Sequence, residues 1–331
     1  MDNDTMNTAP ILIADIGGTN ARFAISTGAP QYFTQAQTLE AAEFEHVSDA
    51  IDTYLHSHNI TELHAICLAV AGPIRDGKVT FPNSHWSIDC HDLRSRYNTE
   101  HVKLLNDWEA ISYSLSSLNE NDLISIGGDW GRLPGSDYTV GALGPGSGLG
   151  MSGLLRRDDR LIPLVTEGGH AGFSPENQLQ GKILSYLHQK FDDRISRERL
   201  LSGPGLVNIH EALCEIHGQE NPGLIAADIA VAGINKTDAI CEETFDLFFE
   251  VLGQVAGDIA LALGADQGIF IGGGICQRYP KQLAESKFRK GFENKGRHSH
   301  LMKDMPTWLI THKNPGLLGA SVFARSFIKS T

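Results

Sequence analysis

The chain has 331 residues, 41% of them hydrophobic and 20% charged, which excludes an extended disordered protein and leaves apolar mass for a sizeable core in two lobes. A formal net charge of -13 excludes the clustered basic footprint that nucleic-acid backbones require, so any anionic ligand must be gripped by local chemistry.

The first ten residues, MDNDTMNTAP, are polar and acidic, and no signal peptide is expected. With no apolar run long enough to cross a bilayer, the expectation is a cytoplasmic protein with no membrane or nucleic-acid partner. Residues 11–15 (ILIAD) read as a short buried strand and residues 22–26 (RFAIS) as its partner, joined by Ile16-Gly17-Gly18-Thr19-Asn20 in a glycine-containing connection. Residues 64–71 (HAICLAVA) form another buried strand ending at Gly72-Pro73, and residues 102–105 (VKLL) a further one ending at Asn106-Asp107. Trp108, Ile111, Leu115 and Leu118 then recur at spacings of three and four, one face of a helix.

The second half starts over. Residues 138–143 (YTVGAL) are strand-like, 144–150 (GPGSGLG) carry glycine at alternate positions, and 151–155 resume an apolar run. A helical stretch over 244–263 precedes residues 268–271 (GIFI), which run into Gly272-Gly273-Gly274. The chain closes with a strand (WLIT, 308–311), a turn at Asn314-Pro315-Gly316 and a helix from Leu317 that could pack back on the first lobe. Two halves that each open with a glycine-turned hairpin suggest a duplicated α/β unit, and with no linker between them the lobes should abut across a cleft.

Two pattern matches are set aside. Gly148-Leu149-Gly150-Met151-Ser152-Gly153 fits a dinucleotide fingerprint, but a strand follows where a helix N-terminus is needed to receive pyrophosphate. Gly72 to Lys78 has Walker spacing, yet Val79 replaces the hydroxyl residue that would hold magnesium. Five scattered cysteines without a CxxC pair fit reduced thiols better than a disulfide frame or a zinc site.

The glycine hairpins allow close backbone approach to phosphate oxygens, and Asp15, at a strand end beside the first hairpin, is placed to hold hydrated Mg2+. Asp107 stands where a strand gives way to a helix. That position taken alone reads first as an N-cap, and a carboxylate there can also accept a proton from a substrate hydroxyl, the two roles not excluding each other. Glu167-Gly168-Gly169-His170 has the E-x-x-H spacing, but paired glycines oppose a helical metal site and favour contacts to a polar ligand. With Asn83, Asn106, Asp107 and Glu198 these residues form an acceptor-rich set suited to hydroxyls, although Glu198 alone also reads as a solvated charge.

Taken together, DIGGTNAR (15–22), LLNDWEA (104–110), GPGSGLG (144–150), TEGGH (166–170), ERLLSGPGLVN (198–208), FIGGGI (270–275) and HKNPGLLGA (312–320) resemble the bacterial glucokinases of the hexokinase, actin and Hsp70 ATPase superfamily, over nearly the whole chain. The resemblance implies a two-lobed actin-like ATPase (ribonuclease H-like) α/β fold. Its duplicated mixed sheet would be flanked by helices, with a small domain of residues 1–116 plus 312–331 and a large one of 117–311. It implies ATP-dependent phosphorylation of D-glucose at the 6-hydroxyl, giving glucose 6-phosphate and ADP, with Asp107 as general base. Asn83, Asn106, Glu167, His170 and Glu198 would bind the sugar. Asp15 would orient Mg2+ through water. Gly17, Gly18, Thr19 and Asn20, with Gly144, Gly146, Ser147 and Gly148, would grip the ATP phosphates, while Gly272, Gly273 and Gly274 would pass beneath the adenosine. A homodimer is also implied. The residues after His170, AGFSPENQ, depart from the CxCGxxGC zinc motif of the related ROK group, so no structural zinc is expected there. Other readings are a kinase for another hexose, a different phosphoryl donor, or a non-catalytic sugar sensor.

Overall fold

A computed structural model describes residues 10–81, 84–128 and 133–329. The chain divides into two compact units: one takes in the stretch ending at Leu118, Pro163–Val165 and the segment from His312 onward, and the other Asn119–Ile162 and Thr166–Thr311.

The first unit is organised around β1 (Ile11–Ile16), whose side chains are buried except for half-buried Asp15. An apolar run this short, covered on both faces, is what a central strand requires. It pairs antiparallel with β2 (Asn20–Ser26), which pairs antiparallel with β3 (Phe33–Glu40). Helix α1 (Val47–Ser57) leads into β4 (Ala65–Val70), parallel to β1. A small sheet of β5 (Ile74–Arg75), β6 (Lys78–Thr80) and β7 (Ser87–Asp89), then α2 (Cys90–Tyr97), connect to β8 (His101–Asn106), parallel to β4. The strand order is β3-β2-β1-β4-β8. The Walker-like stretch is thus a tight β5–β6 hairpin, with Ile74 opposite Val79 and no helix to receive a phosphate.

After β8 comes α3 (Asp107–Ser114). The C-terminal helix, Pro315–Lys329, lies against it so closely that a Cβ on Gly319 would fall 1.6 Å from the Ala110 carbonyl oxygen. Tyr113 and Phe323 continue the contact, their ring centroids 5.2 Å apart. Buried Arg325 donates to the Ser26 hydroxyl and to its carbonyl, anchoring the same helix to the end of β2. Pro315 and Gly316, expected in a turn, instead form the first helical turn, where proline's missing N–H is harmless; the Leu318 N–H bonds back to the Asn314 carbonyl.

The second unit repeats the plan. β9 (Leu123–Ser125) is followed by β10 (Tyr138–Pro145), buried throughout, which pairs antiparallel with β11 (Leu149–Arg157), the neighbour of β12 (Arg160–Thr166). Four helices, α4 (Gln178–Phe191), α5 (Gly203–His217), α6 (Ala226–Ile234) and α7 (Ala239–Leu263), precede β13 (Ile269–Ile271), which is parallel to β10 and to β14 (Thr307–Ile310). The order β12-β11-β10-β13-β14-β9 is that of the first sheet with one antiparallel edge strand added. The 25-residue α7 supplies much of the core, burying Phe245, Phe248, Phe249 and Leu252.

The contact at Gly319 fixes the helix that begins with Asp107. Substitution Gly319→Ala should therefore overpack it, lowering unfolding stability by about 1–3 kcal/mol in a urea titration.

Candidate functional site

In the first unit the strand register gathers the polar residues at one end. Ile16 lies opposite Val70, and Val70 opposite Asn106, so the C-terminal ends of three parallel strands are level. Asp15 stands one residue inside that row on β1, and Asp107 one residue beyond it after β8. Two strand spacings separate β1 from β8, about 10 Å. Such strand ends are where open α/β sheets take ligands. The β1–β2 hairpin closes through the Gly17 N–H to the Asn20 carbonyl at 2.9 Å, and the Thr19 carbonyl is held by the Ala41 N–H at 2.9 Å. Gly17 and Gly18 are half-buried, Thr19 and Asn20 exposed.

Asp15 is covered by the first turn of the C-terminal helix, where a Cβ on Gly316 would come within 2.7 Å of its Oδ2. Burial raises the pKa of this carboxyl, and the charge of Arg22, opposite it on β2, pulls it part of the way back.

Asn106, rather than Asp107, caps α3. Its Oδ1 accepts from the Trp108 N–H at 3.0 Å and the Glu109 N–H at 3.3 Å, and Glu109 reaches back to the Asn106 N–H, a complete capping box. Asp107 is therefore the first helical residue, half-buried, and its Oδ1 accepts from the Trp108 N–H at 2.9 Å. Asn83 lies outside the described residues.

In the second unit four sequence-distant segments meet. The tip of the β10–β11 hairpin closes through the Gly146 N–H to the Gly148 carbonyl at 2.8 Å, with Ser147 exposed. Beneath it the backbone of Gly272 and Gly273 runs so near that a Cβ on Gly144 would lie 2.4 Å from the Gly272 carbonyl carbon. Gly273, at φ +82°, comes equally close to Pro145. Gly274 is exposed and opens a short helix.

On the other side of the hairpin sits Glu198, in the 3₁₀ turn Arg197–Arg199; its Oε2 accepts from the Leu149 N–H at 2.8 Å, and a Cβ on Gly148 would intrude to 2.5 Å from that oxygen. The Gly203 N–H adds a bond to the Gly146 carbonyl at 2.9 Å. Glu167 and His170 flank a second 3₁₀ turn, Gly168–His170, both exposed, with Gly169 pressed against the Leu149 carbonyl. Residues 171–173 pair with 195–197, bringing this turn beside Glu198. Of the residues singled out in this unit, all are brought together around one hairpin.

Sequence reading missed what holds the Glu198 turn. Arg197 pairs with Asp258 of α7 at 3.4 Å, and Asp258 shares Lys295, at 3.0 Å, with Glu176. The available signal was Asp258 itself, a lone carboxylate in the apolar run GQVAGDIALAL.

The family model described as glucokinase matches residues 12–327. The chain belongs to the glucokinase family. It is 39% identical over 324 residues to the glucokinase of Xylella fastidiosa (strain 9a5c), covering 96% of this chain and 95% of that one. It is 38% identical over 312 residues to the bifunctional protein glk of Burkholderia lata, covering 94% of this chain and 48% of that protein, so the chain spans about half the length of such bifunctional relatives. The crystal structure of glucokinase from an Antarctic psychrotroph superimposes with a TM-score of 0.87 at 33% identity, covering 96% of this chain and 99% of that one. A ROK family glucokinase from Streptomyces griseus, in complex with glucose and AMPPNP, shares the fold with a TM-score of 0.65 at 18% identity, covering 96% and 99%. The two like-ordered mixed sheets flanked by helices are thus the actin-like ATPase fold that the glucokinase motifs imply.

The raised carboxyl of Asp15 means that the folded chain holds this proton more tightly than the unfolded chain does. Stability from this group is therefore full below the unfolded carboxyl pKa, about 3.9, and is lost as pH rises through the higher folded value. Asp15→Asn should accordingly raise the urea midpoint at pH 7, and the gain should vanish as the pH is lowered to about 4 or below.

Proposed function

We propose that this glucokinase-family chain transfers the γ-phosphoryl group of ATP to the 6-hydroxyl of D-glucose, with Asp107 as general base. The observation that carries the reading is the level row of strand ends in the first unit, with Asp15 and Asp107 on either side of it and Asn106 taking over the capping that Asp107 would otherwise perform.

The chemistry asks little of the protein beyond positioning and charge. Asp107 accepts the proton as the sugar oxygen bonds to phosphorus and the bond to ADP breaks, a role that contributes on the order of 10²- to 10⁴-fold. Asn106, Glu167, His170 and Glu198, with Asn83, hold the other hydroxyls, because carboxylate and imidazole acceptors and amide N–H2 donors read hydroxyl direction. The backbone of residues 17–20 and 144–148 receives the phosphates, and residues 272–274 the nucleoside. Mg2+ suits the Asp15 position: burial penalises the bare carboxylate there, and a cation held through water relieves that penalty. Held there with the nucleotide, Mg2+ would offset negative charge on the phosphates. A cytoplasmic homodimer belongs to the same proposal, supported by the family resemblance. No helix among the described residues is long and apolar enough to cross a membrane.

Gly146 supports the phosphate reading in a specific way: a Cβ there would meet nothing within 4 Å, so neither packing nor backbone strain asks for glycine. Gly146→Ala should leave stability within about 0.5 kcal/mol, yet raise the KM for ATP roughly tenfold, or about 1.4 kcal/mol.

The main test is Asp107→Asn. It should fold as the wild type does, bind glucose by calorimetry, and lose at least about 100-fold in kcat, within the range of a removed base. Retention of more than about a tenth of the rate would overturn the assignment. Initial rates with glucose, ATP and Mg2+ each omitted, and a hexose panel at fixed ATP, decide the substrates; a larger kcat/KM for another hexose would displace glucose.

A further inference from the structure

We propose that His210, Cys214, Asp238 and Cys241, in the second unit and outside the machinery above, form a binding site for a soft divalent cation of the zinc class. His210 and Cys214 lie four apart on α5, hence on one helix face, and Asp238 is the N-cap of α7 with Cys241 three residues on. The ligand atoms of His210, Asp238 and Cys241 all lie within 4.8 Å of one another. Zinc bonds of 2.0–2.3 Å give tetrahedral edges of roughly 3.3–3.8 Å, so closure asks for a contraction of at most about 1.5 Å. Cys214 Sγ stands 3.8 Å from His210 Nδ1 and 3.9 Å from Nε2, beside this three-ligand group rather than within it, and would have to swing in to serve as a fourth donor.

The independent sign is His210. It is only 2% exposed, and its one hydrogen-bonding partner among the described residues is that thiol, a weak donor and acceptor. A buried imidazole is normally paired with oxygen or nitrogen. Thiol, imidazole and carboxylate together select zinc-class ions over Mg2+ or Ca2+, which prefer oxygen alone. Asp238 is exposed and offers a route in; its Oδ1 caps the Cys241 N–H at 2.8 Å. On binding, each ligating thiol releases its proton to solvent and the metal–sulfur bond replaces S–H.

The test is a Co2+ titration of the reduced, chelator-treated full chain followed by absorption. One equivalent should produce the thiolate-to-cobalt charge-transfer band, and Zn2+ should displace it. Cys241→Ser and His210→Gln should each weaken binding at least tenfold. Cys214→Ser and Asp238→Asn are milder; the latter keeps the helix cap, since Asn caps as well as Asp. Each should weaken binding several-fold even where the first two variants misfold, and Cys90→Ser in the first unit should change nothing. Absence of the band in the folded wild type, or a titration unaltered by Cys214→Ser and Asp238→Asn, overturns the proposal. Sugar phosphorylation is not the readout, so neither result depends on the kinase assignment.

Discussion

The candidate site in the second unit depends on a place where two backbones meet with no room for a side chain between them. At the ends of β10 and β13, a Cβ on Gly144 would stand 2.4 Å from the Gly272 carbonyl carbon, and one on Gly273 would stand 2.4 Å from the Pro145 carbonyl oxygen. Contacts that short are not available to any other residue, so the parallel pairing of the two strands continues past its last residues as bare backbone. The hairpin tip rests on that platform. From the opposite side it is fastened by the Leu149 N–H to Glu198 and the Gly203 N–H to Gly146. Exposed Ser147, at the tip, is consequently held in place by these contacts. Donors fixed in this way do not have to reorganise when a charged ligand arrives, which is the condition for strong electrostatic stabilisation.

The two sheets share a strand order but divide the chemistry. In the first, the end of the central strand carries a carboxylate, Asp15, under a helix turn and opposite Arg22, so the local chemistry is that of a charge awaiting compensation. In the second, the equivalent strand ends in buried Leu143, Gly144 and Pro145, and its hairpin offers only neutral backbone and a serine. A duplicated architecture has thus been given one central strand that ends in a carboxylate and one that ends in backbone and small residues alone.

Much of this was legible because core strands announce themselves. ILIAD, HAICLAVA and YTVGAL are buried on both faces and read as continuous apolar runs. β3, FTQAQTLE, escaped because it is an edge strand that is mostly exposed, and β12 because Pro163 sits inside it. The cap at α3 was decidable in principle: Asn106 followed three residues later by Glu109 is a capping box, which gives the cap to Asn106 and leaves Asp107 as the first helical residue. Pro315 likewise reads as a helix start once proline at the first helical position is considered. The placement of Glu198 had no local signal. It depends on a glycine 50 residues upstream and on Arg197 reaching Asp258, both products of tertiary packing. The meeting of His210, Cys214, Asp238 and Cys241 was hidden for the same reason, since α5 and α7 come together only in the fold.

Glu198 then acquires a role that its surface-like sequence context conceals. One of its oxygens, Oε2, is committed to a backbone N–H of the hairpin rather than to a cation, so the carboxylate is oriented without being neutralised. A carboxylate in that state keeps its full capacity to accept a charge-assisted bond from a hydroxyl at the other oxygen. Because the same side chain abuts Gly148, any shift of Glu198 toward a hydroxyl would be felt by the hairpin. Sugar recognition and phosphate recognition, assigned to separate motifs on the sequence, would then meet at a single side chain.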